Sequence, residues 1–194
     1  MTSSDPDEAN GPGVGDATRI LFVCTANRCR SVLAEALARR RFAGHPFVFA
    51  SAGLMEGGRT MPPAGVLVAG ENDLDMSAHR SRRVDPRLLD EWDLVLTMSR
   101  EHARELVSAD PGLWPRVFTL PQFARWLEAN PPGRHPLIRP WIELVAAGRP
   151  RSDMVGVRPE DEVADPIDGP PEAWRELVET LTRDIDRIAD RLIP

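Results

Sequence analysis

Ile20-Leu21-Phe22-Val23-Cys24-Thr25-Ala26-Asn27-Arg28-Cys29-Arg30-Ser31 is the most informative run in the chain. Its first four residues are a continuous apolar stretch, as expected of a strand buried on both faces. From Ser31 to Arg41 the apolar residues Val32, Leu33, Ala36 and Leu37 fall at helical spacing. Strand, short loop and helix N-terminus therefore follow one another directly. A loop in that position can curl its backbone N–H groups around one point, above the positive end of the helix dipole. That is a cradle for a tetrahedral oxyanion.

Moving outward, Arg39, Arg40 and Arg41 suit the negative end of the same helix, and Gly44 stops it. A second strand is expected at Phe47–Ala50 and a helix at Pro63–Ala69. Leu94–Leu96 reads as a third buried strand, with Ser99 capping a helix to about Ser108. A fourth strand fits Val117–Leu120. Strands alternating with helices indicate an α/β fold around a parallel sheet. The stretch Pro121–Pro159 holds seven prolines and two amphipathic pieces, Phe123–Ala129 and Leu137–Ala147, and reads as a helical insertion too short to own a core. At the end, Trp174, Leu177, Val178, Leu181, Ile185, Ile188 and Leu192 mark a long amphipathic helix opened by Pro170 and Pro171.

Composition narrows the function. The 194 residues suit one domain with extras, and 42% hydrophobic content suffices for a core. No apolar run reaches the roughly 20 residues of a bilayer span. Residues 1–17 are rich in Ser, Asp, Gly and Pro and are expected to form a disordered acidic tail, without the features of a secretory signal. The domain proper is expected over 18–194. Four of the 30 acids lie in residues 1–16, which leaves 26 against 24 basic residues, all of them Arg. A nearly neutral body calls for neither nucleic acid nor an anionic membrane. Without Lys there is no Schiff-base or Walker chemistry. Two cysteines exclude a disulfide scaffold and a Cys-rich zinc module, and suit a reducing cytosol.

The loop carries the chemistry. Cys24 to Arg30 is C-x5-R followed by Ser31, a weak pattern alone but an informative one between a buried strand and a helix. The helix field favours a Cys24 thiolate, a nucleophile at the cradle floor. Arg30 can grip two oxyanion oxygens in a fork. The Ser31 hydroxyl can donate to the sulfur. A thiolate that attacks phosphorus also needs an acid for the leaving oxygen. Asp165-Pro166, just before the last helix, offers one, but Asp85-Pro86 and Asp110-Pro111 are turn formers of the same kind.

Taken together, these residues resemble bacterial members of the low-molecular-weight protein tyrosine phosphatase family. The resemblance rests on Cys24 to Ser31, Ala34-Glu35, Ser51-Ala52-Gly53, Pro62-Pro63, His79-Arg80-Ser81, Asp93 to Met98, and Asp165-Pro166 before the last helix. It implies a three-layer α/β/α sandwich with a four-stranded parallel sheet in the order 2-1-3-4. It selects Asp165 as the general acid. It implies that Cys24 forms a phosphocysteine, that no metal or other cofactor is needed, and that the enzyme is a cytoplasmic monomer. Thr25, Ala26, Asn27, Arg28, Cys29 and Ser31 become the substrate loop, and Asn27, Ser51 and His79 the network that braces it. Cys29 becomes a redox partner of the nucleophile. The substrates implied are phosphorylated protein, phosphotyrosine first, or small phosphomonoesters.

Several residues depart from the family pattern. Ala26 replaces a glycine, at a cost of roughly 1 kcal/mol if the position is strained. Val32 replaces a proline. Arg28 places a cation at the rim, attractive to anionic substrates and repulsive to the guanidinium of phosphoarginine. Gly57 and Ile167 stand where aromatic walls flank the cleft, so phenyl recognition should be weakened unless Trp126 or Trp141 substitutes. Other readings are an arsenate reductase using a small thiol, a protein-arginine phosphatase, or a non-catalytic phosphate-binding relic. The relay cysteines of thioredoxin-linked reductases are absent from this sequence.

Overall fold

The computed structural model describes residues 17–133 and 138–193. Residues 1–16 of the tail expected over 1–17, and Leu137 at the start of the second amphipathic piece, lie outside the described residues. Four strands, β1 (Thr18–Cys24), β2 (Phe47–Gly53), β3 (Leu94–Thr97) and β4 (Val117–Thr119), form one parallel sheet in the order β2-β1-β3-β4. Six α-helices accompany them among the described residues: α1 (Arg30–Arg41), α2 (Pro63–Glu71), α3 (Arg100–Ala109), α4 (Leu120–Ala129), α5 (Ile138–Ala146) and α6 (Pro171–Leu192).

The two-residue period of β1 sorts its side chains between two cores. Ile20, Phe22 and Cys24 join Leu94, Leu96 and Phe118 beneath α1, α4 and α6. Leu21 and Val23 join Val95, Val117 and the Ala103–Leu106 face of α3 on the other side. The result is the expected three-layer sandwich. Helix α6 owes its length to the apolar stripe read from sequence. Trp174, Leu177, Leu181, Ile185 and Ile188 are buried, and Trp174 has no exposed surface. No helix among the described residues is long and apolar enough to cross a membrane.

Element boundaries shift in ways the chemistry explains. β2 extends to Gly53 because Ser51, Ala52 and Gly53 pair with Phe22, Val23 and Cys24. β4 stops at Thr119, whose hydroxyl accepts from the Gln122 amide while the Gln122 side chain returns to the Thr119 N–H. This capping box starts α4 at Leu120, with Pro121 where no donor is needed. Phe123, Ala124 and Leu127 of α4 are fully buried against the main core. The first nine residues of the proline-rich stretch, Pro121–Ala129, therefore lie within the layered fold. Trp126 packs 5.3 Å from Trp141 and 5.2 Å from Phe118, ring centre to ring centre. Trp141 is buried in the main core and Trp126 packs, partly buried, against it.

Candidate active site

Every strand ends at the same edge, and β1 delivers Cys24 there. The sulfur lies 3.0 Å from Ser31 Oγ and accepts from the Asn27 backbone N–H at 3.3 Å. The Asn27 N–H suits a sulfur anion, and the Ser31 hydroxyl, which also lies 3.3 Å from the Ala52 carbonyl, can turn its proton to either partner. The loop bends sharply at Asn27, which adopts φ 52°. Asn is one of the few L-residues that tolerates this left-handed conformation. Ala26 has no such φ, so the expected strain does not arise; the unusual backbone is one residue later.

Asn27 is completely buried and held from four directions. Its amide nitrogen donates to Ser31 Oγ at 3.0 Å and to Ser51 Oγ at 2.8 Å. Its side-chain oxygen accepts from the Arg82 N–H at 3.0 Å. Its backbone carbonyl accepts from His79 Nε2 at 2.7 Å, which makes Nε2 the protonated ring nitrogen. Ser51 in turn donates to Glu35 Oε2 at 2.6 Å, and Glu35 pairs with Arg39. Beneath the loop, Gly53 admits no side chain. A Cβ there would sit 2.7 Å from the Ala26 carbonyl carbon and 2.8 Å from the Asn27 nitrogen.

Arg30 closes the other side. Its Nη2 donates to Asp165 Oδ2 at 2.5 Å and to Thr25 Oγ1 at 3.2 Å, and its Nη1 to the Val163 carbonyl at 3.3 Å. Its buried Nε has no protein partner. The three Asp-Pro pairs among the described residues now separate. Asp85, Asp110 and Asp165 each accept the amide two residues ahead. Only Asp165 also meets Arg30, 135 positions away in sequence.

The structure brings Cys24, Thr25, Asn27, Arg30, Ser31, Ser51, His79 and Asp165 into one network. Ala26 lines its rim. Arg28 turns aside, its Nε donating to the Thr60 carbonyl at 2.8 Å. Cys24 and Cys29 are both free and buried. Burial, first, and then the Asp165 charge push the Cys29 thiol up to about 12, so Cys29 is a thiol at neutral pH. Ile167 packs against the main core. Gly57 has no space for a wall, since a Cβ there would meet the Ser81 carbonyl oxygen at 2.5 Å.

Three participants were not read as site residues from sequence. Glu35 is one, although it lies on α1 one turn past Ser31. The Val163 carbonyl is another. The third is His102, whose Nε2 lies 2.9 Å from Thr25 Oγ1. Burial and the Arg30 charge lower its pKa to about 4, so it is neutral. The signal available was Ser99, whose hydroxyl accepts the His102 N–H and so fixes the first turn of α3. Among the described residues, no cluster of His, Cys, Asp or Glu could hold a metal ion.

Comparison with known proteins agrees with this geometry. Residues 19–130 match the family model for low molecular weight phosphotyrosine protein phosphatase. The low molecular weight protein-tyrosine-phosphatase Wzb of Salmonella typhi is 38% identical over 110 residues, 56% of this chain and 70% of that protein. A protein-arginine-phosphatase of Geobacillus stearothermophilus is 29% identical over 175 residues, 90% of this chain and 95% of that one. The crystal structure of a low molecular weight protein tyrosine phosphatase from T. tengcongensis superposes with a TM-score of 0.68 at 28% identity, covering 91% of this chain and all of that one. With more than half of its residues matched by that family model, the chain belongs to the low molecular weight phosphotyrosine protein phosphatase family.

Proposed function

We propose that this enzyme hydrolyses phosphomonoesters on protein, phosphotyrosine first among them, through a phosphocysteine on Cys24. The observation that carries the reading is the Arg30–Asp165 pair beside the loop. It joins an oxyanion grip and a carboxyl acid, 135 positions apart, above a cysteine already met by the Asn27 N–H and the Ser31 hydroxyl. In the first step the Cys24 sulfur attacks phosphorus in line. The Arg30 fork and the loop amides hold the equatorial oxygens as charge builds on them. The partnerless Arg30 Nε–H is a donor available for that purpose. A bound dianion competes with Asp165 for Arg30; the released carboxylate takes up a proton from solvent and delivers it to the leaving oxygen. In the second step Asp165 takes a proton from water, water attacks the phosphocysteine, and Ser31 donates to the departing sulfur.

Thr25, Ala26, Asn27, Arg28, Cys29 and Ser31 form the substrate loop in this reading. Ser51 and His79 hold it through Asn27, without touching substrate. Two free cysteines support a reducing cytosol as the place of action, and the enzyme acts as a monomer. Cys29 serves as redox partner to Cys24. One observation favours a second substrate, phosphoarginine: the arginine phosphatase relative aligns over 90% of this chain. Arg28, drawn aside to Thr60, is a weaker obstacle to that guanidinium than its place in the sequence suggests.

The test is turnover of a small aryl phosphate by wild type, Cys24→Ser and Asp165→Asn. Activity in wild type and none in Cys24→Ser supports the reading. No hydrolysis by wild type, with arsenate reduction in the presence of a small thiol, sinks it. Phosphotyrosine, phosphoserine and phosphoarginine peptides then rank the substrates.

A further inference from the structure

Beside the loop lies a groove of about 480 Å³, lined by Ala26, Leu54, Met55, Glu56, Gly57, Arg59 and Arg83. It is continuous with the site. The Leu54 N–H donates to the Cys24 carbonyl at 3.1 Å and the Met55 N–H to the Thr25 carbonyl at 2.9 Å. Its walls are pinned on both sides of the Leu54–Gly57 turn. Gly53 pairs with Arg82 and Val84, and Gly58 and Arg59 pair with Ser81. The groove is therefore preformed rather than a flexible rim.

Its charge is unlike that of the whole molecule. Arg59, Arg82 and Arg83 are exposed on the two strips that build it, Arg80 adjoins them, and Arg28 reaches the backbone at Thr60. The acid at the groove is Glu56, already paired with Arg83 at 2.6 Å. Among the described residues Arg59 and Arg82 have no carboxylate partner. A protein of net charge -6 has thus concentrated cations at the mouth of its site. The same mouth lacks an aromatic wall, because Gly57 is packed against the Ser81 carbonyl. Recognition by stacking on the phosphorylated side chain is weakened where recognition by charge is strengthened.

We propose that this groove is a second subsite, which takes acidic side chains flanking the phosphorylated residue of a protein substrate. Met55, half exposed, supplies an apolar floor for the aliphatic part of such a side chain, and the unpaired Arg59 binds its carboxylate, joined by Arg83, which shares its charge with Glu56. The proposal rests on the phosphatase reading above. Its effect falls on encounter and binding, hence on KM more than kcat.

Two phosphotyrosine peptides decide it, identical except that flanking Glu residues in one are Gln in the other. Wild type should favour the Glu peptide in kcat/KM by about three- to tenfold, the range of one or two exposed ion pairs. The preference should shrink toward unity near 1 M salt, where the screening length is about 3 Å. In the double variant Arg59→Gln, Arg83→Gln the two peptides should be equivalent. A wild-type ratio near one, a ratio indifferent to salt, or a ratio retained by the double variant overturns the proposal. The salt titration on wild type keeps the test independent of how the variants fold. If wild type fails to hydrolyse even an aryl phosphate, the phosphatase reading falls instead. Fluorescence anisotropy of the same peptides on Cys24→Ser then judges the groove alone, with the same Glu-over-Gln preference expected.

Discussion

Replacing Asn27 tests the architecture of the site most severely. Asn27→Ala removes three side-chain hydrogen bonds, to Ser31, Ser51 and the Arg82 N–H, from a residue with no exposed surface. At about 1 kcal/mol net for each bond, the loss is about 3 kcal/mol. Alanine also takes on the left-handed backbone at φ 52°, which adds about 1 kcal/mol. The expected destabilisation is about 4 kcal/mol in urea unfolding at pH 7. Asn27→Gly separates the two contributions, since glycine adopts that φ freely. It should lose the bonds but not the backbone term, and so sit about 1 kcal/mol above the alanine variant. Activity should fall in both, because Ser31 and the Asn27 N–H are both aimed at the Cys24 sulfur. We expect at least a tenfold drop in kcat toward an aryl phosphate, equivalent to about 1.4 kcal/mol. The reasoning is refuted if both variants lose less than about 1 kcal/mol, or if the glycine variant is the less stable one.

Three further outcomes follow from other parts of the molecule. Gly53→Ala drives a Cβ into the Ala26–Asn27 backbone and should cost about 1–3 kcal/mol together with a lowered kcat; unchanged melting and turnover would show that the loop does not rest on Gly53. Asp161 is buried between Arg100, which donates to it at 2.6 Å, and Arg125. Asp161→Asn should cost about 3–5 kcal/mol and lower Tm by about 10 °C by calorimetry, and a shift under about 2 °C would contradict the burial argument. His102 has a folded pKa of about 4 against an ordinary 6.5, so the unfolded chain binds the proton first. Its contribution is intact above about pH 7, is lost as pH falls from 6.5 to 4, and amounts to about 3 kcal/mol at the acid limit. Stability-versus-pH curves for wild type and His102→Asn should converge over that window, and parallel curves would count against it.

Much of this was legible in the chain. Ile20–Val23 announced a strand buried on both faces because both cores take alternate residues from it. The spacing from Trp174 to Leu192 announced α6 because one stripe of a helix meets one core. Cys24, Arg30 and Ser31 were readable because a loop between a strand and a helix is local, and its geometry follows from its neighbours. What was not legible depends on distant contacts. His102 looks like any helix residue until α3 is laid beside Thr25. Gly57 looked like a lost aromatic wall, whereas the pairing of residues 58–59 with Ser81 leaves no space for one. Ala26 drew attention as a strained substitution, yet the left-handed residue is Asn27. The choice of Asp165 over Asp85 and Asp110 needed the family resemblance, and its physical basis is the meeting of Asp165 with Arg30.

The central claim is that Cys24 carries the phosphoryl group during turnover. Its most direct measurement is acid quenching of wild type during steady-state hydrolysis of an aryl phosphate, followed by peptide mass spectrometry. The account predicts phosphate on the peptide containing Cys24, assigned to that sulfur, and none in Cys24→Ser treated in the same way. Sustained turnover by Cys24→Ser, or a phosphoryl group on any other residue of the working enzyme, would contradict it.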